Sequence, residues 1–140
     1  MKTRLADTKT LSRLVSAATE ARRRAYAPYS GVRIGAAVLT RSGKVYAGCN
    51  VENSSFGLSN CAERTAIFKA VSEGERAIVA IAVVAESEEL TRPCGACRQV
   101  MMQFNPRMKV LMRGTDGTSG DATAESLLPV AFNPQGLPKR

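Results

Sequence analysis

The stretch Ala77-Ile78-Val79-Ala80-Ile81-Ala82-Val83-Val84-Ala85 most restricts what this chain can fold into. Side chains of a strand alternate between two faces, so a strand apolar at every position must be covered on both. The run falls well short of the ~18 residues that a membrane span needs. It therefore predicts a central strand with helices above and below. The flanking sequence agrees. Thr10 to Tyr26 carries apolar positions at three- and four-residue intervals and reads as a helix ended by Pro28. Val32 to Thr40 and Lys44 to Cys49 read as two antiparallel strands joined by a tight turn at Ser42-Gly43. Asn50 to Asn60 is polar and long enough for a binding loop.

Asn60 has the residue type of an N-cap for a second helix, Cys61 to about Ser72, closed by Gly74. After the apolar strand, Glu86 to Glu89 reads as an acidic surface loop. A third helix follows from near Cys94 to Phe104 and ends at Asn105-Pro106. Met108 to Arg113 reads as a fourth strand, Gly114 to Asp121 as a turn, Thr123 to Leu128 as a last short helix, and 133–140 as an irregular tail. The order α-β-β-α-β-α-β-α, without repeat or linker, predicts one domain: a three-layer α/β/α sandwich around a central mixed sheet.

Composition narrows the chemistry. The chain has no histidine, which excludes Ser-His and Cys-His catalytic pairs. Its net charge of +8 comes from basic residues spread along the chain, and its only basic run, Arg22-Arg23-Arg24, reads as a solvated helix face. Seven scattered Phe and Tyr and no Trp make a poor platform for stacking bases, so nucleic acid is not the expected partner. No apolar stretch suits a membrane span, and Met1 to Asp7 lacks the apolar core of a secretory signal, so the cytoplasm is the expected compartment.

The four cysteines, Cys49, Cys61, Cys94 and Cys97, then point to metal or redox chemistry more than to disulfides. Cys61 and Glu63 stand at one predicted helix start; Pro93-Cys94-Gly95-Ala96-Cys97 opens another. Helix N-termini carry unpaired amides and partial positive charge, which favour the thiolates that metals need. Should the two helix ends meet, Cys61, Cys94 and Cys97 give three ligands and leave one position open, as in catalytic zinc sites. Two plainer readings compete: Cys49 as a fourth ligand closing a structural site, and a redox Cys-x-x-Cys.

These motifs resemble the cytidine deaminase family of small zinc enzymes, in its short homotetrameric form. The likeness runs from about Ala25 to Phe132. It rests on Tyr26-Ala27-Pro28-Tyr29-Ser30, Gly48-Cys49-Asn50-Val51-Glu52-Asn53, Asn60-Cys61-Ala62-Glu63-Arg64-Thr65-Ala66 and Pro93-Cys94-Gly95-Ala96-Cys97-Arg98-Gln99, with weaker support from Leu127 to Phe132. A metal ligand-x-Glu followed by Pro-Cys-x-x-Cys is the general signature of zinc deaminases.

The resemblance implies hydrolytic deamination of cytidine and deoxycytidine in pyrimidine salvage, with one zinc per subunit held by Cys61, Cys94 and Cys97. It implies that Glu63 moves the proton of the attacking water to the ring nitrogen and then to the departing ammonia. Three thiolates leave the centre at net −1, and Arg64 is expected to withdraw charge from sulfur and tune the metal. Asn50 and Glu52 are implied ribose ligands, and the Ala62 amide an implied contact of the pyrimidine oxygen. Phe56 and Phe132 are implied to lie near a neighbouring subunit's site in a homotetramer or at the interface beside it, with plain packing the alternative for either. Two positions depart from the family. Val32 stands where an aromatic usually packs on the base, and Phe56 stands where many relatives carry Tyr. The rival substrates are a related aminated nucleoside such as blasticidin S and, less favoured, a polynucleotide; a non-catalytic zinc module is the remaining alternative.

Overall fold

The computed structural model describes residues 7–86 and 90–132; the expectations for the acidic loop at 87–89 and the tail at 133–140 lie outside these. Five strands form one mixed sheet in the order β2-β1-β3-β4-β5. β1 (Ile34–Thr40) pairs antiparallel with both β2 (Val45–Cys49) and β3 (Ile78–Ala85). β3 pairs parallel with β4 (Lys109–Gly114), and β4 antiparallel with β5 (Ser119–Thr123).

The all-apolar strand β3 lies at the centre, and its two faces feed two cores. Ile81 and Val83 pack with α2 (Ala62–Ser72) and α3 (Gly95–Phe104). Ala80, Ala82 and Val84 face Leu14 and Ala18 of α1 (Thr8–Arg22). The expected three layers are therefore present. On the α1 side the sheet presents small residues, and at Gly35 the backbones nearly touch: an added Cβ would stand 1.9 Å from the Ala18 carbonyl oxygen. No helix among the described residues is long and apolar enough to cross a membrane.

Strand direction places the site. β2 and β3 are both antiparallel to β1, so they run the same way. α2 follows β2 and α3 follows β3, so both helices begin at the same edge of the sheet, where α/β folds place their ligands.

Four sequence expectations need correction. The first helix ends at Arg22, before Pro28, because Tyr26 leaves to bridge Val51. The β1 strand starts at Ile34, and Val32 remains outside it, 45% exposed. Asn60 does not cap α2: Cys61 takes the N-cap position, and the Asn60 side chain bonds Thr65. The stretch read as a turn through Asp121 contains β5. That edge strand is polar and half-exposed, held by its backbone ladder to β4 and by the Arg113–Asp121 ion pair at 2.7 Å. The Asp116-Gly117 pair, with Gly117 at φ 96°, was the hairpin signal for it. The last helix, α4 (Ala124–Leu127), is capped by Thr123, whose side chain accepts from the Ser126 amide.

Candidate metal centre and active site

Cys61 and Cys94 are the N-cap residues of α2 and α3, both in extended backbone conformation. Neither side chain caps its own helix, so both thiols are free to point into the gap between the helix ends. Cys97, one turn into α3, is fully buried beneath them. The three sulfur atoms lie within 4.8 Å of one another, with Cys61–Cys94 at 3.7 Å and Cys94–Cys97 at 3.4 Å. Three sulfurs each ~2.3 Å from a common tetrahedral ion stand about 3.8 Å apart. The donor set and its spacing thus fit one zinc ion. Cys49 is not part of this group.

The electrostatics are those of a shared thiol cluster at positive helix ends. The hydrogen bond from Cys97 pulls Cys61 below the ordinary thiol range, with Arg64 and Cys94 adding to it. The same bond, together with burial, pushes Cys97 up. Arg64 donates from Nη2 to the Cys61 sulfur at 3.3 Å, and this contact holds its guanidinium firmly charged. Its Nε is buried without a partner among the described residues.

Glu63 follows Ala62, the first residue of α2, and both are buried. Glu63 is only 4% exposed. Burial lifts its carboxyl far above the usual carboxylate range, to about 7. A carboxyl that exchanges its proton near neutral pH beside a metal-ligating cluster has the makings of a proton carrier.

The remaining expected residues line the neighbouring loops. Asn50 is buried; its Oδ1 accepts from the Ile34 amide and its Nδ2 donates to the Val32 carbonyl, both at 2.8 Å. One N–H and one lone pair of that amide stay available. Glu52 accepts from the amides of Tyr29 and Ser30 at 3.0 and 3.1 Å and from the Ser30 hydroxyl. These bonds, the Ser30 hydroxyl first, hold its carboxyl below the usual range. Asn50 and Glu52 therefore also shape the loop that carries Val32. Phe56 is 79% exposed and meets Tyr29 edge-on, ring centres 6.4 Å apart; Phe132 is 62% exposed.

Sequence reasoning missed several partners. Tyr29 and Ser30 hold Glu52, and Thr65 bridges Asn60 to the Cys61 carbonyl. Arg98 donates to the Pro93 carbonyl at 2.7 Å and the Leu127 carbonyl at 2.8 Å, tying the loop before Cys94 to the end of α4. Ser30, Thr65 and Arg98 all lie inside the recognisable motifs, and that was the available signal.

Convergent thiols at two helix ends, a buried carboxylate beside them and a mixed sheet beneath define a class, the α/β metalloenzymes. Residues 8–113 match the family described as the cytidine and deoxycytidylate deaminase zinc-binding region. The chain belongs to that family, and zinc is the family's metal. It is 47% identical over 128 residues to a cytidine deaminase of Sporosarcina psychrophila, a match covering 91% of this chain and 94% of that protein. It is 50% identical over 125 residues to a cytidine deaminase of Halalkalibacterium halodurans, covering 89% and 95%. The crystal structure of cytidine deaminase from Burkholderia pseudomallei superposes with a TM-score of 0.84 at 50% identity, covering 86% of this chain and 98% of that one.

Proposed function

We propose that this enzyme converts cytidine and deoxycytidine, with one water, to uridine or deoxyuridine and ammonia. The observation that carries the reading is the nearly inaccessible carboxylate of Glu63 beside three converging sulfurs. Cys61, Cys94 and Cys97 would hold zinc, whose Lewis acidity brings the pKa of water to about 7. Glu63 takes one proton of the attacking water and passes it to the ring nitrogen. It then takes the second from the hydroxyl now on the ring carbon and delivers it to the amino group, which leaves as ammonia as the carbonyl forms. The Ala62 amide, at the unpaired N-terminus of α2, donates to the pyrimidine oxygen. Asn50 and Glu52 take the ribose hydroxyls with the hydrogen-bonding capacity their loop contacts leave. Arg64 draws charge from the Cys61 sulfur and so offsets the net negative charge of three thiolates. A homotetramer would cover apolar side chains left bare on this subunit, Phe56 and Phe132 among them.

The test is ammonia release from cytidine, deoxycytidine, blasticidin S and single-stranded DNA, with zinc content measured on the same preparation. Turnover of the two nucleosides by zinc-loaded protein is expected. A zinc-loaded protein that releases ammonia from no cytosine nucleoside would overturn the proposal.

Val32 bears on substrate affinity. It sits at the exposed rim, its amide donating to the Ser30 hydroxyl that serves Glu52. An aromatic contact to the base contributes about 0.5–1.5 kcal/mol, or roughly two- to tenfold in affinity. Val32→Phe is therefore expected to lower KM for cytidine by that factor with little change in kcat. An unchanged KM in steady-state assays would mean that other groups hold the base.

A further inference from the structure

We propose that Thr65, seated on Gly48, is a positioning residue that locks the Cys61 end of α2 to the loop carrying Asn50 and Glu52. This goes beyond the proposed reaction, though it rests on Cys61 being a zinc ligand.

A chain of contacts carries it. Asn60 and Val51 exchange backbone hydrogen bonds at 2.9 and 3.0 Å, closing the base of the loop. Val51 also bridges Tyr26, and the Glu52 amide donates to the Tyr26 carbonyl at 2.8 Å. The loop is therefore fixed to Asn60, the residue before Cys61. From there the Asn60 side chain does not cap the helix but donates from Nδ2 to the Thr65 hydroxyl at 3.0 Å. That hydroxyl spends its single proton on the Cys61 carbonyl at 3.1 Å, which also accepts from the Thr65 amide at 3.0 Å.

A threonine bonding the carbonyl four residues back is common in helices. Here the incoming amide of Asn60 turns it into a three-residue chain in which the hydroxyl both donates and accepts. The seat is equally specific. A Cβ on Gly48 would stand 2.8 Å from Cγ2 and 2.9 Å from Cβ of Thr65, so Thr65 rests on bare backbone of β2. Thr65 thus fixes the ligand residue from two directions, through hydrogen bonds above and contact with the sheet below.

Three variants test this in the zinc-loaded enzyme: Thr65→Val, which keeps shape and loses the hydroxyl; Thr65→Ser, which keeps the hydroxyl; and Asn60→Ala. Zinc release to a colorimetric chelator is followed well below Tm, alongside Tm itself and KM for cytidine. Groups that orient metal ligands from behind typically matter about 10–100-fold in metal affinity. Thr65→Val and Asn60→Ala are expected to speed release about tenfold or more. Both should raise KM, since the loop loosens with the ligand. Thr65→Ser, which keeps the hydroxyl but gives up the methyl seated on Gly48, should release zinc more slowly than Thr65→Val. The Thr65→Val/Asn60→Ala double variant should release zinc no faster than the worse single one.

Wild-type release from Thr65→Val would overturn the inference, because a threonine that merely stabilises the helix lowers Tm alone. So would Thr65→Ser releasing as fast as Thr65→Val, or single effects that multiply in the double variant. If Thr65→Val does not fold, Asn60→Ala carries the same test, since it lies before the helix and keeps its backbone bonds to Val51. Wild-type zinc content tests the ligand assignment separately.

Discussion

Glu63→Gln is expected to lower kcat for cytidine by about 10²–10⁴-fold while the protein stays folded and keeps its zinc. The amide matches the carboxylate in shape, so the buried site next to Ala62 and Ala66 retains its packing. What is lost is the ability to take two protons in turn from the attacking water and deliver one to the ring nitrogen and one to the amino group. Because Glu63 is not one of the three converging donors, metal content should not change. KM should change little, since the proton transfers occur after binding. A kcat near wild type, with zinc retained, would place the proton carrier elsewhere.

The same substitution has a second signature in metal-stripped protein. Burial raises the Glu63 carboxyl from 4.5 to about 7. The unfolded chain therefore loses this proton first as pH rises, and the wild type loses stability through that window. Gln carries no such penalty. The Tm of Glu63→Gln should accordingly gain on wild type between about pH 4.5 and 7 and hold a constant lead above it. A gap independent of pH would show that the carboxyl titrates alike in the folded and unfolded chains.

What the sequence disclosed follows from the range of each interaction. The apolar run of β3 declares its own burial, because every position repeats the same information. Cys61 with Glu63, and Cys94 with Cys97, are adjacent enough to be read as pairs. Joining the pairs is a different matter. Their sulfurs meet across 33 positions only because β2 and β3 run in the same direction, and no local pattern states that. Glu52 finds Ser30 across 22 positions because β1 and β2 pair antiparallel, which brings the segment before β1 beside the segment after β2. Asn60 misled by type: it suits an N-cap, but the backbone bridge to Val51 turns its side chain toward Thr65. β5 escaped because Ser119-Gly120-Asp121-Ala122-Thr123 has little apolar character, and its stability comes from pairing with β4. Local periodicity reports burial well and pairing poorly.

Gly48→Ala is expected to cost about a hundredfold in kcat/KM, through displacement of α2 rather than through any contact with substrate. Gly48 lies in β2 opposite Ala36, on the sheet face that α2 covers. An added Cβ would stand 2.7 Å from the Ala66 amide nitrogen as well as against Thr65. Backbone of a helix cannot turn aside as a side chain can, so α2 must rise or tilt. Its first turn carries Cys61, Ala62 and Glu63, and a misplacement of about 1 Å near reacting groups costs on the order of 10²-fold. Overpacking should also lower stability by about 1–3 kcal/mol, so activity must be separated from folding. Gly35→Ala supplies the comparison. Its Cβ would meet the Ala18 oxygen and the Arg22 nitrogen, at 1.9 and 2.5 Å, and would displace α1 on the opposite face. That variant should lose at least as much in Tm, yet its folded fraction should keep nearly wild-type kcat/KM and zinc release. If both glycine variants lose activity only in proportion to lost fold, the closeness of α2 to β2 serves stability alone. If Gly48→Ala remains impaired where Gly35→Ala does not, the missing side chain at Gly48 sets the height at which Cys61 and Glu63 meet Cys94 and Cys97 of α3.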